Sequence, residues 1–496
     1  MRDRLVFYVN GRRHEARGRH ASLTLSDYLR SGAGDDAERM TGTKIACAEG
    51  DCGACTVLVG EPDGERLVYR PIDACIAFVY QLDRRHVVTV EGVGACGSLS
   101  RVQAAMVGNH GSQCGFCTPG FVMAMHGVLE THAGEVSEDD WRLGLSGNLC
   151  RCTGYEQILE AANQAADDER TGVGERFDEA AILADFNRLG DGPVAVNIPG
   201  ASQSNGHAAA GVRVTVPTTL SELLEARAAD PSAKLVAGAT DVGVQFNHGK
   251  IDPQAVIVTT RVSELQRMEV NDGVLTIGAG VSWSRIESLT KKRLPEYHRI
   301  LTRFGSPQVR IAGTLAGNLA NASPIADSIP LHYVTESTIE VASVGGARRV
   351  PIADFYRGYK DLDLAPDELI TAIHTPLLGE DVRLKLYKIS KRRDMDISTV
   401  TLGVWLRMAG ETISEARLAA GGVGPTVMRL PRAEAALAGE AFTIESLRAA
   451  GQIAAEEVTP ITDVRGGAGY RRQLVANLLV KAYHDLLREP ALNPVG

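Results

Sequence analysis

The stretch "KIACAEGDCGACTVLVG" (residues 44–60) places Cys47, Cys52 and Cys55 within nine positions, interleaved with Gly50 and Gly53. The spacing is C-x4-C-x2-C, and Cys75 follows after nineteen further residues. A close triplet with a distant fourth cysteine is the plant-type [2Fe–2S] pattern. Four thiolates must reach two irons, so one loop wraps three of them and a strand end brings the fourth. Gly50 and Gly53 permit positive φ and leave room for backbone N–H groups to approach the sulfurs. Such hydrogen bonds help set a cluster's reduction potential. A four-cysteine zinc site is the competing reading, but zinc ribbons favour two C-x2-C pairs.

Around this loop the texture is that of a small mixed sheet. "LVFYVNGRRHEA" (5–16) alternates about Asn10-Gly11, a type I′ hairpin signal. "TLSDYLRS" (24–31) reads as a short helix with Thr24 or Ser26 as its cap. "TVLVG" and "LVYRPIDACI" read as strands.

Further on, "QCGFCTPG" (113–120) and "NLCRCTGY" (148–155) carry Cys114, Cys117, Cys150 and Cys152, with 32 residues between the pairs. Helical patterns fill the interval at 120–132 and at 137–148, where Ser137-x-x-Asp140 resembles a capping box. Another helix runs over 156–168. These thiolates therefore come from helix termini of an all-helical unit. A second metal site follows, with iron–sulfur favoured over zinc because two clusters in one chain make an electron wire. The ninth cysteine, Cys96, reads as a small buried thiol.

The chain has 496 residues, so two to four domains are expected. A net charge of −9 argues against a nucleic-acid surface. The uncharged stretch 192–212 is rich in Gly, Ser, Asn and Pro and reads as a linker, not a membrane span. The first residues lack a signal-peptide core, which leads us to expect a cytoplasmic protein. All nine cysteines lie in the first third, a habit of cytosolic metal binding and not of secreted disulfide scaffolds.

Beyond the cysteines, "VRVTVPTTLSELLEARAAD" (212–230) reads as strand, turn and capped helix, and "AKLVAGATDVGVQF" (233–246) as strand, glycine turn and apolar run. "AVIVTT" and "VLTIGAG" read as strands, "TLAGNLANASPIADSIP" (314–330) as a loop of small residues, and the last segment as strand, loop and helices. One G-x-G-x-x-G match, "GVGACG" (92–97), lacks the acidic partner of a Rossmann site and reads as a domain-joining turn. No catalytic acid–base constellation is found; His126 and His132 read as packing or surface residues.

Taken together, "CAEGDCGACTV", "QCGFCTPG" and "NLCRCTGY" resemble the signatures of the molybdenum hydroxylase family, which includes xanthine dehydrogenases and aldehyde oxidases. The segments "LVAGATDVGVQF", "GTLAGNLANASPIADSIP", "FYRGYKDLDLAPDELITAIHTP" and "YKISKRRDMDIS" resemble its FAD domain. The resemblance implies a multidomain α+β chain. A β-grasp ferredoxin [2Fe–2S] domain would span 1–92 and an all-α [2Fe–2S]-binding domain 93–170. A linker would span 171–208, a vanillyl-alcohol-oxidase-type FAD domain 209–380, and a C-terminal α+β CO-dehydrogenase-flavoprotein-like cap 381–496. It assigns Cys47, Cys52, Cys55 and Cys75 to one cluster and Cys114, Cys117, Cys150 and Cys152 to the other. Leu235, Val236, Ala237, Gly238, Ala239, Thr240, Asp241 and Val242 would cradle the FAD pyrophosphate. Thr314, Leu315, Ala316, Gly317 and Asn318 would form a second FAD loop, with Phe304, Asp327, Ile370 and Lys388 at further contacts. Gln113 would approach the pterin of a partner, and "KRRDMD" (391–396) would lie near flavin and nicotinamide. Lys360 stands where mammalian relatives have arginine, so a contact needing a forked guanidinium is lost.

The family's molybdopterin domains have no counterpart in these segments. The resemblance therefore implies the small subunit of a split xanthine dehydrogenase, in a heterotetramer of two small and two large chains. Electrons would run from the large subunit's molybdenum through the two clusters to FAD and then NAD+. A self-sufficient NADH-dependent reductase and the matching subunit of an aldehyde oxidoreductase are the alternatives.

Overall fold

Two residues set the first turn. Asn10 and Gly11 adopt φ of 48° and 79°, the left-handed pair that a tight I′ hairpin requires. Strands β1 (Leu5–Val9) and β2 (Arg12–Ala16) consequently pair antiparallel. The computed structural model describes residues 1–32, 38–94, 97–132, 134–167, 172–198 and 211–488. Cys96, the linker residues 199–210 and the last residues of the expected cap lie outside these. Thr24, its side chain accepting from the Asp27 amide, caps α1 (Leu25–Ser31). A second hairpin, β3 (Thr56–Asp63) and β4 (Arg66–Asp73), and the short β5 (His86–Val88) complete a sheet of order β2-β1-β5-β3-β4. Only the β1–β5 pairing is parallel.

Four helices follow: α2 (Arg101–Gly108), α3 (Thr118–Thr131), α4 (Glu138–Gly144) and α5 (Glu156–Asp167). Ser100 and Ser137 close capping boxes with Gln103 and Asp140. α3 is buried from Gly120 to Leu129 without a break, so it is wrapped on all sides and shows no amphipathic stripe.

The span read as a linker is structured wherever it is described. Asp178 caps α6 (Glu179–Arg188), which buries Ile182, Leu183 and Phe186. Strand β6 (Val194–Ile198) pairs with β7 (Val212–Val216) across the undescribed residues. The polar composition between the two strands hid a pairing that only the partner strand reveals. Next come α7 (Leu220–Ala229), β8 (Lys234–Val236), α8 (Val242–Asn247) and β9 (Ala255–Val258), giving a sheet of order β6-β7-β9-β8. The β7–β9 and β8–β9 pairings are parallel, so helices serve as crossovers. These elements, with α11 (Pro307–Ala312), form one compact unit, Met1–Ser263 with Gly305–Gly313. The unit closes at Ser263, inside the span 209–380 read as one flavin domain.

The second unit comprises Glu264–Phe304 and Thr314–Gly496. Strands β10 (Met268–Asn271), β11 (Val274–Gly278), β12 (Thr338–Ser343), β13 (Gly346–Pro351) and β16 (Leu369–Pro376) form an antiparallel sheet of order β10-β11-β16-β12-β13. With it go α9 (Trp283–Arg293), α10 (Pro295–Leu301), α14 (Ile352–Phe355) and the hairpin β14 (Tyr356–Gly358)–β15 (Asp361–Leu362). The stretch 314–330, read as a loop, contains α12 (Leu315–Asn321) and the start of α13 (Ile329–Val334). Thr314 caps α12 by accepting from the Gly317 amide, and Leu315 and Leu319 are buried one turn apart. Small residues masked that stripe. A second antiparallel sheet, β17 (Val382–Ile389), β18 (Val400–Ala409), β19 (Thr412–Gly421) and β20 (Met428–Arg429), packs with α15 (Pro431–Leu437), α16 (Ile444–Glu457) and α17 (Ala468–Arg488). The multidomain α+β architecture agrees with the sequence reading. Among the described residues, no helix is long and apolar enough to cross a membrane.

Candidate metal centres and dinucleotide cradle

The β3–β4 register builds the first cysteine site. Thr56 pairs with Asp73, which sets Cys55, just before β3, beside Cys75, just beyond β4; the Ala74 amide donates to the Cys55 carbonyl. The loop 44–55 then curls back, with Gly50 and Gly53 at φ of 76° and 65°. Cys47 lies against Cys52 and Cys75, and Cys55 also meets Cys75. The interactions between these thiols hold Cys47 down and push Cys52 and Cys75 up. The Glu49 amide points at the Cys47 sulfur, 3.4 Å away. Asp73, which sequence reading did not single out, accepts from the Cys55 thiol at 3.7 Å. Complete burial pushes its carboxyl well above the ordinary range.

The second quartet gathers on loops. Cys117 is the N-cap of α3, while Cys150 and Cys152 lie between α4 and α5, not at a helix end. Cys114 meets Cys152, and Cys117 meets Cys150. Burial and the Cys150 contact push the Cys117 thiol up to about 12. The Thr153 amide (3.4 Å) and hydroxyl (3.1 Å) both reach the Cys150 sulfur. This edge is open: Gln113, Cys114 and Cys152 are exposed, as are Phe116, Leu149 and Tyr155.

Among the described residues, no group of cysteine, histidine or acidic side chains is arranged to hold a single metal ion. The thiols meet instead in linked pairs. Tetrahedral zinc wants four donors about one point, whereas a two-iron cluster is gripped by pairs of thiolates on either side. Four thiols in each set, with backbone amides aimed at Cys47 and Cys150, are a donor set that an iron–sulfur cluster would fit.

The two cysteine loops touch. The Leu149 amide donates to the Cys52 carbonyl at 3.0 Å. Asn148 Nδ2 donates to the Gly53 carbonyl at 3.0 Å. Gln308 Nε2, from α11, donates to Asn148 Oδ1 (2.9 Å) and Thr56 Oγ1 (3.2 Å). Gly53 is obligatory here, since a Cβ would stand 2.5 Å from both the Gly147 carbonyl and Asn148 Nδ2. Sequence reading missed Asn148 and Gln308, whose partners lie 95 and 160 positions away. His126 is buried at α3, within 3.2 Å of the Ser100 hydroxyl, and His132 sits partly exposed beside Asp140.

The flavin loops are built separately in the two units. In the first, Leu235 and Val236 end β8, Ala237 to Asp241 form the turn, and Val242 opens α8. Ala239 is left-handed at φ 59°. Gly238 lies so close to α11 that a Cβ would be 1.8 Å from the Ala312 carbonyl. Such small residues leave backbone N–H groups free of side-chain cover.

In the second unit, Thr314 to Asn318 form the start of α12, and Asn318 Oδ1 accepts from Ser328 at 2.7 Å. Asp327 is buried between Lys388 and Ser398, bonded to both. Phe304 packs edge-on against Trp283, with ring centroids 4.9 Å apart. Ile370 sits at the β12–β16 register shift. Lys360, at φ 60°, donates to the Asn321 carbonyl and side chain. In "KRRDMD", Arg392 pairs with Asp396 at 2.6 Å, and Arg393 is 85% exposed.

Comparison with known proteins assigns domains to these parts. Residues 89–163 match a [2Fe-2S] binding domain, 210–378 the FAD binding domain of molybdopterin dehydrogenases, and 385–486 the CO dehydrogenase flavoprotein C-terminal domain. Xanthine dehydrogenase of Drosophila subobscura is 33% identical over 97% of the chain, and aldehyde oxidase 3 of Mus musculus 30% over 98%. The chain spans about two fifths of each relative, 39% of its length. Among solved structures, carbon monoxide dehydrogenase from Hydrogenophaga pseudoflava aligns with a TM-score of 0.53 at 27% identity, over 55% of this chain and 95% of that one. These modules define an oxidoreductase component with a [2Fe–2S]-binding and an FAD-binding domain. The chain belongs to the iron–sulfur and flavin side of the molybdenum hydroxylase family.

Proposed function

We propose that this chain is the electron-transfer half of a xanthine-dehydrogenase-type molybdenum hydroxylase, working with a separate molybdopterin-binding chain. When bound, two [2Fe–2S] clusters and FAD would carry single electrons from the partner's molybdenum and deliver them in pairs to NAD+. The observation that carries this reading is the pair of cysteine quartets held together by the Leu149–Cys52 hydrogen bond. Cys47, Cys52, Cys55 and Cys75 would hold one cluster, and Cys114, Cys117, Cys150 and Cys152 the other. The residues 235–242 would cradle the dinucleotide, and 314–318, Phe304, Asp327, Ile370 and Lys388 would line the flavin. The exposed edge at Gln113 and Phe116 would face the partner's pterin. The protein's own task is placement: amides aimed at sulfur, and loops locked in register.

Two reaction readings remain distinct. The insect relative favours xanthine as the partner's substrate and the mouse relative favours aldehydes. Purification from native cells, followed by assays with xanthine and with aldehydes, separates them. The expected result is a molybdenum-containing chain co-purifying with this one and NAD+ reduction driven by xanthine. Diaphorase activity from this chain alone, with no molybdenum partner recovered, would instead support a self-sufficient NADH-dependent reductase.

A further inference from the structure

α8 leaves the dinucleotide cradle and runs along the segment that carries Cys75. Contacts along its length join it and the cradle turn to that segment and to the loop of Cys47. Gln81 Nε2 donates to the Ala237 carbonyl of the cradle turn at 2.6 Å. Gly243 packs on Ile76 so closely that a Cβ would lie 2.5 Å from the Ile76 carbonyl. Phe246 meets Phe78 edge-on at 5.3 Å. At the last turn, Asn247 Nδ2 donates to two carbonyls at once, Ala48 (2.8 Å) and Cys75 (2.9 Å). Next to it, His248 meets Glu49 at 2.6 Å.

Asn247 therefore spans the two chain segments whose separation would open the first quartet, the one beside Cys47 and the one holding Cys75. The other end of the same short helix is the turn read as the FAD cradle. A single amide group with two N–H donors can bridge two carbonyls, and no isosteric acid can.

We propose that α8 is a strap that makes dinucleotide loading at 235–242 and retention of the first cluster interdependent, with Asn247 and Gln81 as its positioning residues. The inference rests on the reading of 235–242 as the FAD cradle. Ordering the cradle orders α8, and an ordered α8 holds Ala48 and Cys75 together. Linkage makes the effect reciprocal: whatever FAD adds to cluster retention, the cluster adds to FAD affinity.

The test uses the full chain, reconstituted anaerobically with iron, sulfide and FAD. Iron loss to a chelator is followed separately for each cluster by its electron paramagnetic resonance signal, with and without FAD. In the wild type, FAD is expected to slow iron loss from the first cluster on the order of tenfold and to leave the second cluster unchanged. Asn247→Asp keeps the shape and removes the donors, so the protection should disappear while the second signal persists as a folding control. Gln81→Leu, which frees the cradle end of the strap, should weaken protection in the same direction. If FAD binds and protects Asn247→Asp as well as the wild type, the strap is wrong and the flavin reading stands. If the wild type takes up no FAD, the flavin reading itself fails and the strap falls with it.

Discussion

At the scale of single residues, the site depends on positions where an atom more or less is decisive. Gly238 is one, because an added methyl would sit 1.8 Å from the Ala312 carbonyl, closer than any backbone tolerates. Gly238→Ala should force the cradle turn off α11, so flavin content per chain should fall about tenfold while the second cluster's signal remains and the first cluster loses iron to a chelator as fast as the FAD-free wild type. Gly53 is another, with positive φ and a backbone neighbour 2.5 Å from a would-be Cβ. Buried histidine adds a pH signature. His86 receives the Gly11 amide at Nε2 (3.0 Å), so Nδ1 carries the proton and faces the Tyr69 hydroxyl at 2.7 Å. Burial lowers its pKa to about 3, below the unfolded value of about 6.5. The unfolded chain therefore binds the extra proton first. The stability from neutral His86 is complete above about pH 6.5 and is lost as pH falls toward 3. Between pH 7 and 5 the loss is about 2 kcal/mol. Urea midpoints of wild type and His86→Phe across that range should show a steeper fall for the wild type, because His126 and His332, also lowered by burial, titrate in both; parallel slopes would contradict it.

At the scale of elements, legibility followed range in sequence. The Asn10-Gly11 turn, the Thr24 cap and the Ser137 capping box are local devices, and each appears where the sequence placed it. The cysteine spacing was equally readable, because a loop that wraps sulfur is written in consecutive residues. Elements that depend on distant partners were not readable. β6 needs β7 across the undescribed residues 199–210, and α12 buries its two leucines among alanines and asparagines that read as loop. Asn148, Gln308 and Asn247 carry no local signal, since their hydrogen-bond partners lie 92 to 252 positions away. α3 shows what such packing requires. Gly127 would place a Cβ 2.7 Å from Pro71 Cγ on β4, and Gly120 one 2.2 Å from the Gly53 carbonyl. Gly127→Val should push α3 off the β3–β4 hairpin and cost about 1–3 kcal/mol. A fall in thermal midpoint with loss of the second cluster checks this; an unchanged midpoint would show that α3 is free to shift.

At the scale of the whole molecule, the chain combines two cysteine quartets and flavin-binding modules. The quartets share a backbone hydrogen bond, and the covalent route from Leu149 to Cys150 is a single peptide step. The most direct test is electron paramagnetic resonance with metal analysis on the anaerobically reconstituted wild type, Cys47→Ser and Cys150→Ser. The account predicts about four irons per wild-type chain and two distinguishable signals, with each substitution abolishing a different one. Bound zinc without iron, or two signals that survive both substitutions, would contradict it.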